Sequence, residues 1–537
     1  MRMKTPLIIT SIALMALTAC TNNVENVDSK ADKKALTNLN EKSAMPIVKE
    51  PITLKFFAGR TAQSAKDWNN VLIFNKYEKM TNVDIKWEMV PDTSLEEKRN
   101  LALVGGNLPD AFHTASFPAT EILKYGEQGV FIKLNDLIDK YAPNLKKIMK
   151  ENPEVKNAIT FPNGNIYSFP TIISEDFTSM LLGPRPWINK EWLEKLGMKM
   201  PETIEEYYEY LKAVKEKDPN GNGKADEIPF GSYSIGMLTR WLNGSFGLVN
   251  RGYASPFVDM NPKENKLRFI QTSKEYKEML QYVHKLYKEG LIEKNIFSKD
   301  TSQFLANATQ GLYGSTVSHS PKELFGADKY TGGSALEGPF GDKLITGRIP
   351  SVASMDGFVI TSANKNPEAT VKWMDYFYSD EGSKLFLMGV EGETFEKAPN
   401  GELRYLEKIT HSSEGLSFEQ ELAKYLTWPG GGYPGIVKEE FFKGLENAPD
   451  AREAARKLEP NIIKEVWPQF TYTVEENKTL TTVGADIEKY VTEMRDKFIT
   501  GVVPFSEWDK YVKTIEKMGL KDYMKVKAEA LKRYQKN

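Results

Sequence analysis

The sequence predicts a two-lobed α/β protein with a central cleft and several crossovers between the lobes. Three observations predict it. At 537 residues the chain exceeds what a single hydrophobic core serves. With 40% hydrophobic and 11% aromatic residues it has apolar material for more than one core. Its compositional types also interleave (α/β, then helical, then β again, then helical), an order that beads on a string would not produce. A boundary between lobes is where ligands usually sit.

The elements follow in order. Ile52–Phe57 and Val83–Val90 are β-rich runs, and Val71, Leu72, Phe74 and Tyr77 between them recur at helical spacing over Trp68 to Met80. That is a β-α-β unit, the start of an α/β sheet. Glu96 to Val104 reads as another helix, followed by a Gly-Gly-Asn-Leu-Pro-Asp turn and the short run Ala111-Phe112-His113. Asn163-Gly164 between Thr160-Phe161 and Ile166-Tyr167 signals a hairpin, and Thr178–Leu182 is a strand candidate. From Lys190 helices dominate, among them Lys274–Glu289, which stops at Gly290. β-rich runs return at Gly311–Val317 and Gly357–Thr361, and the chain ends in helices over Asp486–Phe498 and Ser506–Met518. No internal repeat is visible.

Composition excludes several classes. Lys and Arg total 71 against 73 Asp and Glu, a formal net charge of −2, which excludes a generally basic nucleic-acid binder. One cysteine excludes an intrachain disulfide framework and a thiolate metal cluster.

That cysteine is Cys20. Residues 1–20 carry Arg2 and Lys4, then an apolar run from Leu7 to Leu17. The run is shorter than the roughly 20 residues of a spanning helix and suits a signal peptide. It ends in Leu17-Thr18-Ala19-Cys20, which resembles the bacterial lipobox, a signal cut before a cysteine that is then lipidated. The competing reading is an ordinary secretory signal with a chance cysteine. Residues 1–19 are thus expected to be removed, and the polar stretch 20–50 reads as a lipidated cysteine and flexible tether. The folded part would lie outside the cytoplasmic membrane, anchored by its N-terminal lipid.

The sharpest chemical motif is the loop Asp218-Pro219-Asn220-Gly221-Asn222-Gly223-Lys224-Ala225-Asp226-Glu227. Asp218, Asn220 and Asn222 offer alternate side-chain oxygens, Gly223 permits a sharp turn, Lys224 offers its backbone carbonyl, and Asp226 adds a carboxylate. An all-oxygen set of this size suits a structural Ca²⁺. The EF-hand's closing Glu is replaced by Pro229, so Glu227 is the natural substitute. The alternative is a solvated Asn-Gly turn after a helix that opens with a Thr203/Glu206 capping box.

Catalytic signatures are missing: no phosphate loop, no Gly-x-Ser-x-Gly elbow and no His-Glu-x-x-His, with His113, His284, His319 and His411 scattered. A spatial carboxylate pair of the glycosidase kind leaves no trace in sequence. For binding, three tryptophans have unusual settings. Trp187 follows Gly183-Pro184-Arg185-Pro186, Trp241 follows Arg240, and Trp428 opens Trp-Pro-Gly-Gly-Gly-Tyr-Pro. Aromatic faces of this kind stack on sugar rings, although each residue alone also suits a core. Arg60, Arg185, Arg240, Arg251 and Arg348 fall near the expected lobe boundary, and their forks bind carboxylates or sugar hydroxyls, which leaves an anionic ligand open.

Several segments together resemble a known family. They are Gly106-Asn107-Leu108-Pro109-Asp110, Ile188 to Gly197, the calcium loop, Leu286 to Leu291, Asn366 to Tyr376, Gly389 to Glu393, and Phe505 to Gly519. Nearly all of residues 51–537 resembles the extracellular solute-binding lipoproteins of sugar ABC importers. More narrowly, it is similar to their calcium-containing branch, which includes alginate-oligosaccharide-binding proteins. The resemblance implies a periplasmic-binding-protein-like fold that closes on an oligosaccharide and delivers it to membrane permeases, without catalysis and as a monomer. It implies calcium ligands at Asp218, Asn220, Asn222, Lys224, Asp226 and Glu227, and sugar-facing aromatics at Trp241 and Trp428. With Trp187, Arg185 and Arg60 these make the expected substrate contacts. By the same analogy the first lobe is 51–170 plus 303–362 and the second 171–302 plus 363–537. The rivals are a surface-anchored polysaccharide hydrolase or lyase, and a sensor presenting sugar to a signalling kinase.

Overall fold

A computed structural model describes residues 34–41, 44–61, 64–427 and 433–536. In chain order its strands are β1 (Ile52–Arg60), β2 (Val83–Pro91), β3 (Ala111–His113), β4 (Ser168–Ile173), β5 (Arg185–Asn189), β6 (Ile228–Phe230) and β7 (Val258–Asn261). They continue with β8 (Lys266–Phe269), β9 (Tyr313–Ser318), β10 (Tyr330–Gly332), β11 (Val352–Ile360), β12 (Phe395–Lys397), β13 (Leu403–Tyr405) and β14 (Gly435–Val437). Two sheets organise the lobes. The first has the order β14-β4-β11-β3-β1-β2 and the second β10-β5-β9-β6, while β7-β8 and β12-β13 are separate hairpins.

The expected β-α-β unit forms. β1 pairs in parallel with β2 over Ile52↔Val83 to Arg60↔Pro91, joined by the helix Leu72–Thr81. β3 is parallel to β1 as well. The three strands therefore end along one side of the sheet, where Arg60 closes β1 and Asp92 and Thr114 follow β2 and β3. Phe56 and Phe57 on successive positions are both buried, because helices cover both faces of this sheet. Phe56 packs edge-on against Trp87 and Trp373, each 5.4 Å between ring centres.

Trp373 corrects the expected domain division. It lies on the helix Pro367–Asp375 and accepts a 2.8 Å bond from the Tyr77 hydroxyl at its carbonyl, so residues after 363 belong with the first sheet. β14 pairs with β4 in that sheet too. Conversely β9 and β10, within 303–362, pair with β5 in the second sheet. The chain crosses between the sheets over 174–184, 333–351 and 438–448. Analogy misplaced the boundary because sheet membership is set by long-range pairing that local composition does not record.

The second lobe is helix-rich as expected. Thr203 and Glu206 make both bonds of the capping box at the start of Ile204–Glu216, which buries Tyr207, Tyr210, Leu211 and Val214. The helix Lys274–Lys288 buries Tyr276, Met279, Leu280, Val283 and Leu286 and ends before Gly290, whose φ of 67° is the left-handed conformation glycine tolerates.

Three local expectations change. Thr178–Leu182 is a short helix, with Ser179, Leu181 and Leu182 buried where the chain enters the first crossover. Asn163-Gly164 does turn the chain, with Gly164 N donating to Phe161 O at 2.8 Å, but its flanks are not strands and β4 begins only at Ser168. The tether reading of 20–50 fails over its second half. Leu39, Ile47 and Val48 are buried against the first-lobe core, and the Lys372 ammonium donates to Asn40 O at 2.8 Å. Those three apolar side chains dock a stretch whose average composition is polar. Among the described residues no helix is long and apolar enough to cross a membrane.

Candidate functional site

The carboxyl ends of parallel strands are where open α/β sheets place ligands. Here that edge holds a cavity of about 190 Å³ lined by Gly59, Arg60, Thr61, Ser64, Trp68, Asp92, Leu95, His113, Thr114, Ser116, Phe386, Thr427 and Tyr433. Gly59 lets β1 approach the next strand's end, since a Cβ there would collide with the Thr114 carbonyl oxygen. The Thr114 hydroxyl donates to Gly59 O at 3.0 Å and fixes that approach. The floor is aromatic: Phe386 and Tyr433 stack at 3.8 Å and 4°, and Trp68 packs edge-on to Trp87. Trp68 also donates its indole N–H to Ser64 Oγ at 3.3 Å. Arg60 is half-buried on the rim and Asp92 is exposed beside it.

His113 closes the wall. Its ring is buried edge-on to Trp68 (5.3 Å), Trp87 (5.4 Å) and Phe358 (6.0 Å), with Nδ1 3.2 Å from Thr114 Oγ1. Burial pushes its pKa down to about 3, so the imidazole is neutral at physiological pH. An aromatic floor with a polar rim of hydroxyls, one guanidinium and one carboxylate fits sugar rings and their hydroxyls.

Of the sequence-expected contacts, this cavity holds Arg60. Trp428 lies outside the described residues, as does Cys20, but its described neighbours Thr427 and Tyr433 both line the cavity. Trp187, Arg185 and Trp241 lie elsewhere, and the surface role expected of them needs correction. Trp187 is fully buried in the second lobe and donates to Ser318 O at 2.9 Å, because β5 is an inner strand. Arg185 is buried and ion-paired to Glu446. Trp241 is 5% exposed, donates to Ser334 O at 3.1 Å and packs edge-on to Tyr207 at 4.8 Å. Arg185 and Trp241 do share one cavity, with Arg240, Thr346 and Gly347, but its volume of about 20 Å³ admits a water and not a sugar ring. Trp68, Asp92, His113 and Phe386 were not anticipated. The available signal was position, since Asp92 and His113 close the β2 and β3 runs.

The Asp218–Glu227 loop turns sharply around its own carboxylates. Gly221 and Gly223 adopt φ of 75° and 73°. Asp218 accepts from the N–H groups of Gly223 (2.7 Å), Gly221 (2.7 Å) and Asn222 (3.1 Å), and these bonds, Gly223 first, hold its carboxyl below the usual range. Partial burial raises Glu227, whose carboxyl also faces that of Asp218. Asp226 accepts from the side-chain amides of Asn220 (2.8 Å) and Asn222 (3.0 Å). Among the described residues no three His, Cys, Asp or Glu side chains are grouped to hold a metal by themselves. A cation here would need the amide and backbone carbonyl oxygens too, a mixed hard-oxygen set that fits Ca²⁺.

Comparison with known proteins places the chain in a family. Residues 64–384 match the family model of bacterial extracellular solute-binding proteins. The fructooligosaccharide ABC transporter substrate-binding protein FusA of Streptococcus pneumoniae serotype 4 is 32% identical over 99% of this chain and 98% of its own. Lipoprotein LipO of Bacillus subtilis is 27% identical over 83% of this chain and 86% of its own. The structure of S. pneumoniae FusA with kestose superposes with a TM-score of 0.71 at 31% identity, covering 90% of this chain and 100% of that one. An EF-hand mutant of FusA with fructo-nystose gives 0.70 at 31% identity with the same coverage.

Proposed function

This chain belongs to the bacterial extracellular solute-binding protein family, and from that premise we propose that it captures an oligosaccharide between its lobes for an ABC import permease. It is a binding protein and not an enzyme, so the hydrolase or lyase alternative falls. The observation that carries the sugar reading is the cavity at the carboxyl ends of β1, β2 and β3, with its aromatic floor and its rim of Arg60, Asp92 and threonine hydroxyls. Closure would bring the second lobe over this cavity, with the closed state favoured by differential affinity for the bound sugar. The transporter roles of FusA support delivery to a permease over presentation to a kinase. Anchoring through a lipidated Cys20 is supported by the sequence motif and by the likeness to a lipoprotein.

Arg60→Ala is expected to weaken oligosaccharide binding about tenfold, roughly 1.4 kcal/mol, with the melting temperature unchanged because Arg60 stands on the rim. Calorimetry on the full chain checks it. Wild-type affinity in the variant would move the ligand out of this cavity.

The same reading assigns a structural Ca²⁺ to Asp218, Asn220, Asn222, the Lys224 carbonyl, Asp226 and Glu227. Its support is the loop backbone, the donor chemistry and the existence of an EF-hand in FusA. Saturating Ca²⁺ at about 100 times its dissociation constant would add about 2.7 kcal/mol by mass action. EGTA is expected to lower the melting temperature of the wild type and to leave Asp218→Ala unmoved. An identical melt after verified metal removal excludes the site.

A further inference from the structure

We propose that the C-terminal helix Leu520–Tyr534 and the segment 466–473 form a latch that holds the two lobes in an open arrangement, so that closing on a ligand requires this contact to part. This rests on the sugar-binding reading above and names what regulates closure over that site.

The contact joins the two cores away from the crossovers. On one side Trp467, Phe470, Ala530 and Leu531 belong to the core of the second lobe. On the other, Val155, Ala158 and Ile159 of the helix Pro153–Ile159 are first-lobe core, and Phe161 shares a cluster with Phe57 and Phe112. Asn157 Nδ2 donates to Tyr534 O at 3.4 Å, and the Thr471 hydroxyl donates to Thr160 O at 3.2 Å. Arg533 fixes the second-lobe partners. Its Nη1 donates to Glu476 Oε1 at 2.7 Å and its Nη2 to Thr471 O at 3.2 Å, which ties 471–476 to the helix.

Sheet topology sets the direction of the effect. β3 and β4 are both antiparallel to β11 and therefore run the same way, so β4 starts at the end of the sheet away from the cavity. Thr160 to Tyr167 lead into that start. The second lobe thus grips the far end of the first-lobe sheet, while every described residue lining the cavity belongs to the first lobe. The crossovers leave from the end of β4, the start of β11 and the end of β14, all at the cavity's end of the sheet. A lobe that swings about them to cover the cavity moves off Thr160.

The contact is built to part. It encloses a cavity of about 130 Å³, with Thr160 and Phe161 on one side and Phe470 and Arg533 on the other, so the two surfaces are not close-packed. Its two hydrogen bonds are long, and interfaces between domains of one chain are movable unless large and apolar.

The test uses the full chain carrying Cys20→Ser, with kestose, maltotriose and raffinose as probes. In Asn157→Cys/Thr471→Cys a short bismaleimide is expected to join the two thiols readily without sugar and more slowly under saturating sugar. In calorimetry the joined protein is expected to bind the best of the three sugars about tenfold or more weakly than the unjoined one, because the closed state is withheld. Asn157→Ala/Thr471→Val deletes both bonds and is expected to bind that sugar about fivefold more tightly, as two weak bonds lost from the open state alone would give. Thiols that fail to join without sugar, or equal affinity of joined and unjoined protein, overturn the latch and leave the receptor reading standing. A folded Asn157→Ala/Thr471→Val protein that binds no more tightly than the parent does the same. Absence of saturable binding of any of the three sugars to the parent protein overturns both.

Discussion

Glu446→Ala is expected to lower the unfolding free energy by about 3–5 kcal/mol, the usual result of stranding a buried charge. Arg185 and Glu446 are 1% and 5% exposed and pair directly, and His319 Nδ1 bonds the other carboxylate oxygen. The remaining Arg185 donors go to backbone carbonyls: Ala451 at 2.7 Å, Ser179 at 2.7 Å and Gly183 at 3.0 Å. Ser179 in turn donates to Glu446 O at 2.6 Å. Ser179 and Gly183 come from the first crossover, Arg185 from the start of β5, Glu446 from the third crossover and Ala451 from the helix Pro449–Leu458, so one guanidinium ties together segments far apart in sequence. Removing the carboxylate leaves the guanidinium buried with neutral acceptors only. Glu446→Gln keeps the shape and an acceptor and is expected to lose less. Urea denaturation of the three proteins decides it, and an alanine variant with the wild-type midpoint would mean that Glu446 does not carry the charge of Arg185.

The same cluster explains why Arg185 and Trp187 were misread. Both sit in a Gly-Pro-Arg-Pro-Trp segment that local chemistry marks as an irregular loop. Residues 185–189 instead pair with β9 and β10, and strand pairing of that range is invisible to a window of ten residues. Local order was readable. β1, β2, the intervening helix, the capping box at Thr203 and the helix ending before Gly290 follow from periodicity and cap chemistry, which act within one or two turns of chain. The candidate site was readable in part. Arg60 is one of five arginines that sequence places near the lobe boundary, whereas His113, third in the short run Ala111-Phe112-His113, has no ligand-like neighbours in sequence. It acquires meaning only when β2 and the turn at Trp68–Asn70 bring Trp87 and Trp68 around it. Trp241 was singled out for its arginine neighbour, yet its indole satisfies itself on Ser334 O, so Trp241→Ala acts first on packing.

Acid should destabilise the first lobe through His113. In the unfolded chain its pKa returns to the ordinary value of 6.5, while in the fold burial among Trp68, Trp87 and Phe358 holds it at about 3. The depressed folded value fixes the sign: the unfolded chain binds the proton more tightly. The contribution is therefore intact above pH 6.5 and lost as pH falls through 6.5 toward 3. Between pH 7 and pH 4 the loss amounts to about 3 kcal/mol, at 1.36 kcal/mol per pKa unit. His113→Gln removes the titrating ring. Its unfolding free energy is expected to fall less over that range than that of the wild type, by about the same 3 kcal/mol, even if the variant is weaker at pH 7. Parallel pH profiles for the two proteins would show that the ring is hydrated or protonated in the fold. His113 also lines the cavity at the ends of β1 and β3, so a ligand bound there, as proposed, is expected to move the acid transition to lower pH.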